Sequence, residues 1–272
     1  MTVHSVSKKG KRPQNEDKHT IVTNLNDQWN QEHKKNYGNI NLYGVYDGHG
    51  GKEVSKFISQ ILPNYFLNKK IKYPIKEKDI EKVYEQVQQV LRTKYRATAL
   101  NCGSTCLVIA HFLYAGNEYL NVFNTGDSRA VICTDLLGMP LTKDHKPNWP
   151  EETMRIKKAG GEIYFDGCDY RIKDLSVSRA FGDIDAEPYV ICKPDVFIHR
   201  ITKRDKFVIL ACDGLWDVIS NQDAINYVLD NCYDINKNQR INKKVNISKK
   251  LADLAIEKKS GDNVTVLVVF FD

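Results

Sequence analysis

The sequence of 272 residues lacks any uninterrupted apolar run that could cross a membrane as a helix, which takes about 20 residues. Its first residues, MTVHSVSKKGKRPQNED, contain no apolar core of the kind that a secretory signal peptide needs. Position 2 is Thr2, whereas N-myristoylation requires glycine there. From these absences we expect an intracellular, soluble protein of the cytoplasm or nucleus that does not bind membranes.

Cysteine occurs at seven positions but never as a pair of C-x-x-C elements, so the usual pattern of a structural zinc site is absent. No cysteine has an arginine six positions later, which excludes the C-x₅-R loop of the cysteine-based phosphatases. Most of the cysteines lie inside apolar runs. We therefore expect small, buried, reduced thiols.

The sequence also lacks a concentrated tract of charge. Its 40 Lys+Arg and 34 Asp+Glu give a formal charge of +6, and the lysines are spread along the chain. A solvated surface explains this spread better than a nucleic-acid-binding face, for which steeply salt-dependent binding would be the signature. Because no Pro/Gly/Ser-rich linker or internal repeat divides the chain, we expect one domain over residues 1–272.

Short β-rich runs recur along the chain. Several are almost continuous in apolar residues, which is typical of strands covered on both faces. Turn residues at 115–118 and 125–128 predict hairpins, and hence a partly antiparallel sheet. Two polar stretches rich in Asn and Lys, 26–39 and 233–246, predict surface insertions. The predicted strands cover residues 19–25, 41–47, 104–114, 118–124, 129–135, 196–202, 207–213 and 264–271.

Apolar residues at helical spacing predict the layers that cover these strands. Two such stripes within residues 51–97 predict two helices. A short third helix is predicted over 150–159, with proline in its first turn. Ser220, with Asp223 three positions later, forms a variant capping box before a fourth helix. A fifth stripe begins at Ile247, before the last strand.

Aspartate follows an apolar strand in two distant segments, at Asp47 in LYGVYDGHGG and at Asp213 in KFVILACDGLWD. Asp127 lies in the predicted turn NTGDSRAV, and Asp262 precedes the last strand. Taken singly, each is ordinary turn chemistry. If the fold gathers them, however, they need a cation or must take up protons. Their oxygen ligands favour Mg²⁺ or Mn²⁺ over zinc, but spacing alone leaves both interpretations open.

Polar side chains beside these aspartates are further candidates. His49 follows Asp47-Gly48 in a glycine-flanked turn, where its ring could stand free beside a metal, although an isolated histidine is more often structural. Arg12 lies four residues before Glu16. A lone arginine is usually a surface charge, but a guanidinium beside a metal carboxylate would match a phosphoryl group bidentately.

Nine sequence blocks carry a family resemblance from about residue 5 to residue 271. They are KGKRPQNED, VYDGHGG, GSTCLVIA, NTGDSRAV, LTKDHKPNWPEETMRIKKAGGEI, LSVSRAFGD, EPYVICKPDV, LACDGLWDV and SGDNVTVLVV. In this order they resemble the metal-dependent protein serine/threonine phosphatases of the 2C type. One block could be chance, whereas the ordered set is highly specific.

The resemblance implies an α+β fold, namely an α-β-β-α sandwich of two mainly antiparallel β-sheets packed face to face and flanked by helices. It implies a two-metal site between the sheets at one edge, loaded with Mg²⁺ or Mn²⁺, and phosphorylated proteins as substrates. The implied reaction is direct attack of a metal-activated water on phosphoserine or phosphothreonine, without a phosphoenzyme.

The resemblance also implies a metal ligand set. Asp47 would bridge both metals, and Gly48 would offer its backbone carbonyl to one of them. Asp213 and Asp262 would hold the other metal, and Glu16 would assist through water.

Further positions follow from the same resemblance. Asp127, together with Asp213, would support a weaker third metal. Arg12 would bind the substrate phosphate, and His49 would protonate the leaving alkoxide. The positions expected behind the ligands are Asp17, Asp217 and Asn263, with Asp217 also a candidate for the third metal.

Residues 146–174 resemble the flap of the family, a variable element beside the active site where a regulatory partner could bind. Members controlled by plant hormone receptors carry tryptophan where Phe165 aligns, so that control is not expected here. The alternative to an enzyme is a catalytically silent scaffold that binds partners through the flap face. The presence of Asp47, Asp213 and Asp262 favours the active enzyme.

Overall fold

The computed structural model describes residues 1–27, 36–68 and 70–271. Most of the predicted insertion 26–39 therefore lies outside the described residues. The second predicted insertion, 233–246, is largely exposed, in agreement with the sequence. Within the described ranges, no helix has both the length and the apolar character needed to span a membrane.

Fifteen strands form in the described residues, and ten of them build two five-stranded sheets. The strands are β1 (Thr2–Lys8), β2 (Lys18–Val22), β3 (Asn41–Tyr46), β4 (Gly48–His49), β5 (Gly103–Ser104), β6 (Cys106–Tyr114), β7 (Asn117–Thr125), β8 (Arg129–Thr134), β9 (Leu137–Pro140), β10 (Tyr164–Phe165), β11 (Tyr170–Arg171), β12 (Phe181–Gly182), β13 (Asp195–Arg200), β14 (Asp205–Ala211) and β15 (Val264–Phe270).

Seven α-helices are described. They are α1 (Glu53–Phe66), α2 (Glu77–Lys94), α3 (Arg96–Ala99), α4 (Pro150–Lys158), α5 (Asp213–Trp216), α6 (Asn221–Cys232) and α7 (Ile247–Glu257). Five of them match the predicted helices, whereas the one-turn helices α3 and α5 are too short to show a helical stripe. As predicted, the Ser220 hydroxyl caps α6 by accepting a hydrogen bond from the backbone N–H of Asp223.

The two large sheets are antiparallel and have the orders β1-β15-β14-β8-β9 and β13-β7-β6-β3-β2. Their facing side chains form one core, which includes Tyr43, Leu107, Leu210 and Leu267. The first sheet packs its outer face on α6 and α7, and the second on α1 and α2. Burial on both faces explains the continuous apolar runs of the central strands. The predicted α-β-β-α sandwich is thus confirmed.

One predicted hairpin is confirmed and the other is wrong. Ala115 and Gly116, both at positive φ, connect β6 to β7 in a two-residue turn. The segment 125–128 instead carries the chain from β7 in one sheet to β8 in the other. Asp127 therefore lies in a crossover at the end of the sandwich, where both sheets can contribute side chains.

Two strands of the first sheet were not predicted. β1 is only partly buried and reads TVHSVSK, with no apolar run, yet all seven of its residues pair with β15 at the sheet edge. At the opposite edge, the four residues of β9 pair with β8. An edge strand needs less apolar surface than a central strand, so β1 can be polar and β9 can be short. Six of the seven cysteines are buried, as expected, and only Cys168 is exposed.

Candidate active site

The ends of strands from both sheets meet at one end of the sandwich. Asp47 directly follows β3 of one sheet, whereas Asp213 follows β14 of the other and opens α5. Asp127 enters from the crossover between β7 and β8. Asp47, Asp127 and Asp213 each place one carboxylate oxygen within 4.8 Å of the others. The fold therefore gathers aspartates that lie far apart in sequence.

These aspartates lie in a cleft of about 480 Å³. Ten of the eleven candidate site residues line it: Arg12, Glu16, Asp47, Gly48, His49, Asp127, Asp213, Asp217, Asp262 and Asn263. The eleventh, Asp17, is buried behind the cleft, with a carboxylate oxygen within 4.8 Å of Asp47 and of the Cys212 sulfur. The cleft and the layer behind it thus contain all eleven candidate site residues.

The backbone around Asp47 is fixed by Thr105. The N–H of Asp47 donates to the Thr105 hydroxyl at 3.1 Å, and the N–H of Thr105 donates to the Asp47 carbonyl at 2.9 Å. The Thr105 hydroxyl also lies 2.8 Å from that of Ser128, which links this loop to the crossover. At Gly48, an added Cβ would lie 2.5 Å from the Glu16 carbonyl oxygen, so only glycine permits this approach. The sequence did not point to Thr105 or Ser128.

Asn263 holds the N-terminal loop beside the cleft. Its amide oxygen accepts from the Glu16 N–H at 2.8 Å, and its amide nitrogen donates to the carbonyls of Lys9 and Gln14 at 2.7 and 2.9 Å. These three bonds join the start of β15 to the loop that bears Arg12. The buried Asn263 therefore positions Arg12 and Glu16 rather than facing solvent.

Two of the cleft aspartates have cationic partners. The Arg12 guanidinium donates to Asp262 at 2.6 Å, and the Lys146 ammonium donates to Asp127. More than half of the Arg12 side chain is exposed, so it can exchange this bond for one to a ligand. Lys146, at the start of the predicted flap, is a contact that the sequence did not reveal.

Other carboxylate atoms are left without a partner. Neither oxygen of buried Asp17 accepts a hydrogen bond from the described residues, and neither does the buried Oδ1 of Asp213. Burial and the neighbouring aspartates raise the pKa values of Asp47 and Asp213 well above their ordinary range. Burial likewise raises the pKa of Asp17 to about 6. The site therefore carries more negative charge than its own side chains neutralise.

A hard divalent cation fits this donor set. The unpartnered atoms are carboxylate oxygens, which are the ligands that Mg²⁺ and Mn²⁺ prefer. Among the residues that the structure describes, Cys212 is the soft donor that groups with these carboxylates. Burial, with Asp17 and Asp47 close by, raises the pKa of its thiol well above the ordinary range, so the sulfur stays protonated and is a poor ligand.

The ring of His49 is not free, as the sequence had suggested, but is tied to Asp183. The His49 Nε2 lies 2.6 Å from the Asp183 Oδ2. Burial alone would lower the pKa of His49, but the adjacent Asp183 carboxylate outweighs this effect and raises it. The protonated ring is therefore favoured, and Asp183 is a residue of the site that the sequence did not single out.

The predicted flap, residues 146–174, lies beside the cleft. It contains α4 and the two-stranded ribbon of β10 and β11. Asp169, Arg171 and Asp174 of this segment line the cleft, whereas Phe165 points to solvent. A substrate in the cleft would thus contact charged flap residues.

Similarity to known proteins assigns the chain to a family. The family model "Protein phosphatase 2C" matches residues 1–264. The chain belongs to this family. A PP2C-like domain-containing protein of Acanthamoeba polyphaga mimivirus is 45% identical over 170 residues, which are 57% of this chain and 95% of that protein. Probable protein phosphatase 2C 2 of Arabidopsis thaliana is 32% identical over 263 residues, which are 96% of this chain but 65% of the relative.

Several solved structures share the fold of this chain. A C. elegans sex determining protein matches all of this chain and 65% of its own with a TM-score of 0.83 at 25% identity. The serine-threonine phosphatase 2C of Toxoplasma gondii matches 99% of this chain and 94% of its own with a TM-score of 0.78 at 22% identity. Family membership and the named phosphatases support protein serine/threonine phosphatase activity for this chain.

Proposed function

We propose that this chain is a metal-dependent protein serine/threonine phosphatase that hydrolyses phosphoserine and phosphothreonine in proteins by direct attack of water. The observation that carries this proposal is the convergence of Asp47, Asp127 and Asp213 within 4.8 Å, at the end of a phosphatase 2C fold. The side chains around these three aspartates do not supply enough positive charge to neutralise them. A divalent cation would neutralise it.

The proposed ligands are those that the family resemblance implies, and all of them line the cleft. Asp47, the Gly48 carbonyl, Asp213 and Asp262 would hold two Mg²⁺ or Mn²⁺ ions, with Glu16 assisting through water. Asp127 would contribute to a weaker third site, in competition with its bond to Lys146. When bound, such a pair of cations supplies a water of lowered pKa and neutralises charge on the phosphoryl group.

The other side chains would bind the substrate and move the proton. Arg12 would release Asp262 and hold two phosphate oxygens with its planar guanidinium. His49, kept protonated by Asp183, would give a proton to the serine or threonine oxygen as the P–O bond breaks. General acid catalysis of this kind contributes about 10²–10⁴ in rate.

The test compares wild type with Asp213→Ala on p-nitrophenyl phosphate and a phosphothreonine peptide. We expect wild type to hydrolyse both with Mn²⁺ or Mg²⁺ and to stop in EDTA, while Asp213→Ala stays at background. The exposed Asp230 on α6 provides the matched control, because Asp230→Ala removes one carboxylate without touching the cleft. Full wild-type activity in the chelator would refute the metal-dependent proposal.

Several predictions from the sequence await their own tests. These are the location in the cytoplasm or nucleus, the absence of nucleic-acid binding, and a regulatory partner at the flap. A catalytically silent scaffold would need degenerate ligand positions. Because Asp47, Asp213 and Asp262 all line the cleft, we favour the enzyme over the scaffold.

A further inference from the structure

A small three-stranded sheet brings Asp183 to His49. Its order is β12-β5-β4, and the central Gly103 pairs with His49 on one side and with Gly182 on the other. Asp183 directly follows Gly182 and is buried, with 3% of its surface exposed. Its Oδ2 reaches the His49 Nε2 at 2.6 Å across the middle strand.

The chain is locally built around this contact. A Cβ added to Gly103 would lie 2.1 Å from the Asp183 Oδ2 and 2.5 Å from the His49 Nε2, so only glycine lets the two side chains meet over β5. Asp183 has a φ of +46°, in the left-handed region that few residues other than glycine adopt. Such a conformation persists only where the surroundings hold it.

Those surroundings are rigid and lie outside the metal ligands. Gln88, buried in α2, donates to the Gly182 carbonyl and accepts from the Gly182 N–H, both at 2.9 Å. The Asp183 N–H in turn donates to the Cys102 carbonyl at 3.2 Å. Helix α2 therefore fixes the position of Asp183 independently of the aspartates in the cleft.

We propose that Asp183 is a positioning residue that holds the proposed acid His49 by its Nε2–H, so that Nδ1 is the nitrogen that delivers the proton. This inference rests on the proposed function. A carboxylate can only accept, so Nε2 must donate to it. The Nδ1 proton then passes to the departing alkoxide oxygen as the bond from phosphorus to that oxygen breaks and the bond to water oxygen forms. The ring is left neutral, with Nε2–H still bound to Asp183.

The test uses Asp183→Asn and Asp183→Ala, with Asp185→Asn as control. Asp185 is exposed on the turn that follows Asp183, whereas the hydrogen bond to His49 comes from Asp183. We expect turnover of a phosphothreonine peptide to fall by about 10- to 100-fold in both variants, because a misaligned donor loses most of its effect. Turnover of p-nitrophenyl phosphate should fall by less than about threefold, because p-nitrophenolate leaves without a proton. Asp185→Asn should match wild type on both substrates.

A double-mutant cycle separates positioning from a general structural role. If Asp183 acts through His49, Asp183→Asn should cause no further loss of peptide turnover in a His49→Ala background. Equal losses on the two substrates, or an additional loss in that background, would overturn the inference.

Two measurements without turnover complete the test. In ¹⁵N NMR of the Mn²⁺-free protein, neutral His49 should show the Nε2–H tautomer in wild type and lose that preference in Asp183→Ala. Unchanged thermal unfolding of Asp183→Asn would show that the fold is intact; if that variant unfolds, the tautomer in wild type still decides. An Nδ1–H tautomer there would refute the proposal.

The outcomes distinguish this inference from the function on which it rests. A wild-type protein that is inactive with Mn²⁺ would overturn both. An active wild type with equal losses on both substrates in His49→Ala would remove the acid role, and the positioning role with it. An active wild type in which only the Asp183 variants fail the test would overturn the inference and leave the metal-dependent phosphatase in place.

Discussion

Two groups of buried or half-buried carboxylates in this protein differ in what neutralises them. The first, here the aspartate cluster, consists of Asp17, Asp47 and Asp213 at the end of the sandwich. The second, here the flap-base cluster, consists of Glu152 in α4 with Arg155 and Arg179. Both gather charge away from water. Only the second contains its own counter-ions.

The flap-base cluster is complete as it stands. Arg179 donates to the Glu152 Oε1 at 2.6 and 3.0 Å, and Arg155 donates to the Oε2 at 2.8 Å. Burial alone would raise the pKa of Glu152, but these guanidinium groups outweigh burial and lower it to about 2. In the aspartate cluster the pKa values move the opposite way, because burial and like charges act together.

The difference separates structural charge from functional charge. A carboxylate that folds against its own arginine has its charge compensated within the protein and needs no ligand. A carboxylate that folds against other carboxylates destabilises the native state until a cation arrives, and such strain is maintained at sites that bind one. The unpartnered oxygens of Asp17 and Asp213, together with the raised pKa values, favour the aspartate cluster as the one that takes a ligand.

The largest effect we expect is stabilisation of the aspartate cluster by metal. A ligand at 100 times its Kd stabilises by about 2.7 kcal/mol per site, so two sites would contribute about 5 kcal/mol. Differential scanning calorimetry should therefore show a higher Tm with Mn²⁺ than with EDTA. Asp47→Asn should unfold at a similar or higher temperature than wild type in EDTA but lose most of the Mn²⁺ shift. An unchanged shift in this variant would exclude Asp47 as a bridging ligand.

The second effect concerns the flap-base cluster. Glu152→Gln removes the carboxylate that Arg155 and Arg179 share and leaves Arg179 with the carboxylate of Asp195 alone, which should cost about 3 kcal/mol of unfolding free energy. Glu151→Gln is the control, because Glu151 is the exposed neighbour on the same helix. Urea unfolding measures both variants, and the Mn²⁺ shift should be unaffected. If Glu152→Gln loses no more unfolding free energy than Glu151→Gln, the flap-base cluster contributes no more to stability than an exposed ion pair does.

Much of the fold was predictable from the sequence because the central strands and helices carry strong periodic patterns. The strands β6, β14 and β15 are buried on both faces and read as apolar runs, so their existence did not depend on unseen partners. The edge strand β1 was missed because it forms by pairing with β15, and no local sequence pattern predicts that pairing.

The sequence predicted which residues form the candidate site, but it did not predict the contacts among them. Motif order pointed to the cleft residues, including Asp47 and Asp213. The turn at 125–128 could not be told from a hairpin, because which sheet β8 joins is decided by packing over the whole chain. Asp183 and Lys146 were missed for the same reason, since each meets its partner through a separate segment.

A pH effect on the metal-free protein would sharpen the comparison. Asp17 has its pKa raised from 3.8 to about 6, so the native state binds its proton more tightly, and stability should fall as pH rises from about 4 to about 6. At about 1.4 kcal/mol per pKa unit, this loss is on the order of 2 kcal/mol. The pKa of Glu152 is shifted in the opposite direction, so its effect on stability has the opposite pH dependence. Its contribution is present above pH 4.5 and is lost as pH falls towards about 2.

Urea titrations of EDTA-treated protein from pH 3 to pH 7 measure this effect. Asp17→Asn should reduce the slope between pH 4 and 6, with Asp47 and Asp213 contributing the remainder, while leaving the acid limb intact. Glu152→Gln should flatten the acid limb alone. A slope between pH 4 and 6 that is as steep in Asp17→Asn as in wild type would exclude Asp17 as a contributor.

The smallest effect on stability should come from Arg12, which pairs with Asp262 in the cleft. Its side chain is 57% exposed and makes one bond to Asp262, so Arg12→Ala should cost less than about 0.5 kcal/mol. The effect of Arg12→Ala on catalysis should be large, in contrast to its effect on stability. Loss of a charge-assisted bond to the substrate phosphate, about 1.5–3 kcal/mol, corresponds to about a 10- to 100-fold fall in kcat/KM. Arg12→Lys keeps the charge but not the planar fork, and should recover only part of that loss. Steady-state kinetics beside urea unfolding measure both quantities. A large loss of stability with unchanged kcat/KM would place Arg12 with Arg179 as a structural counter-ion, and the distinction between the two clusters would then rest on the aspartates alone.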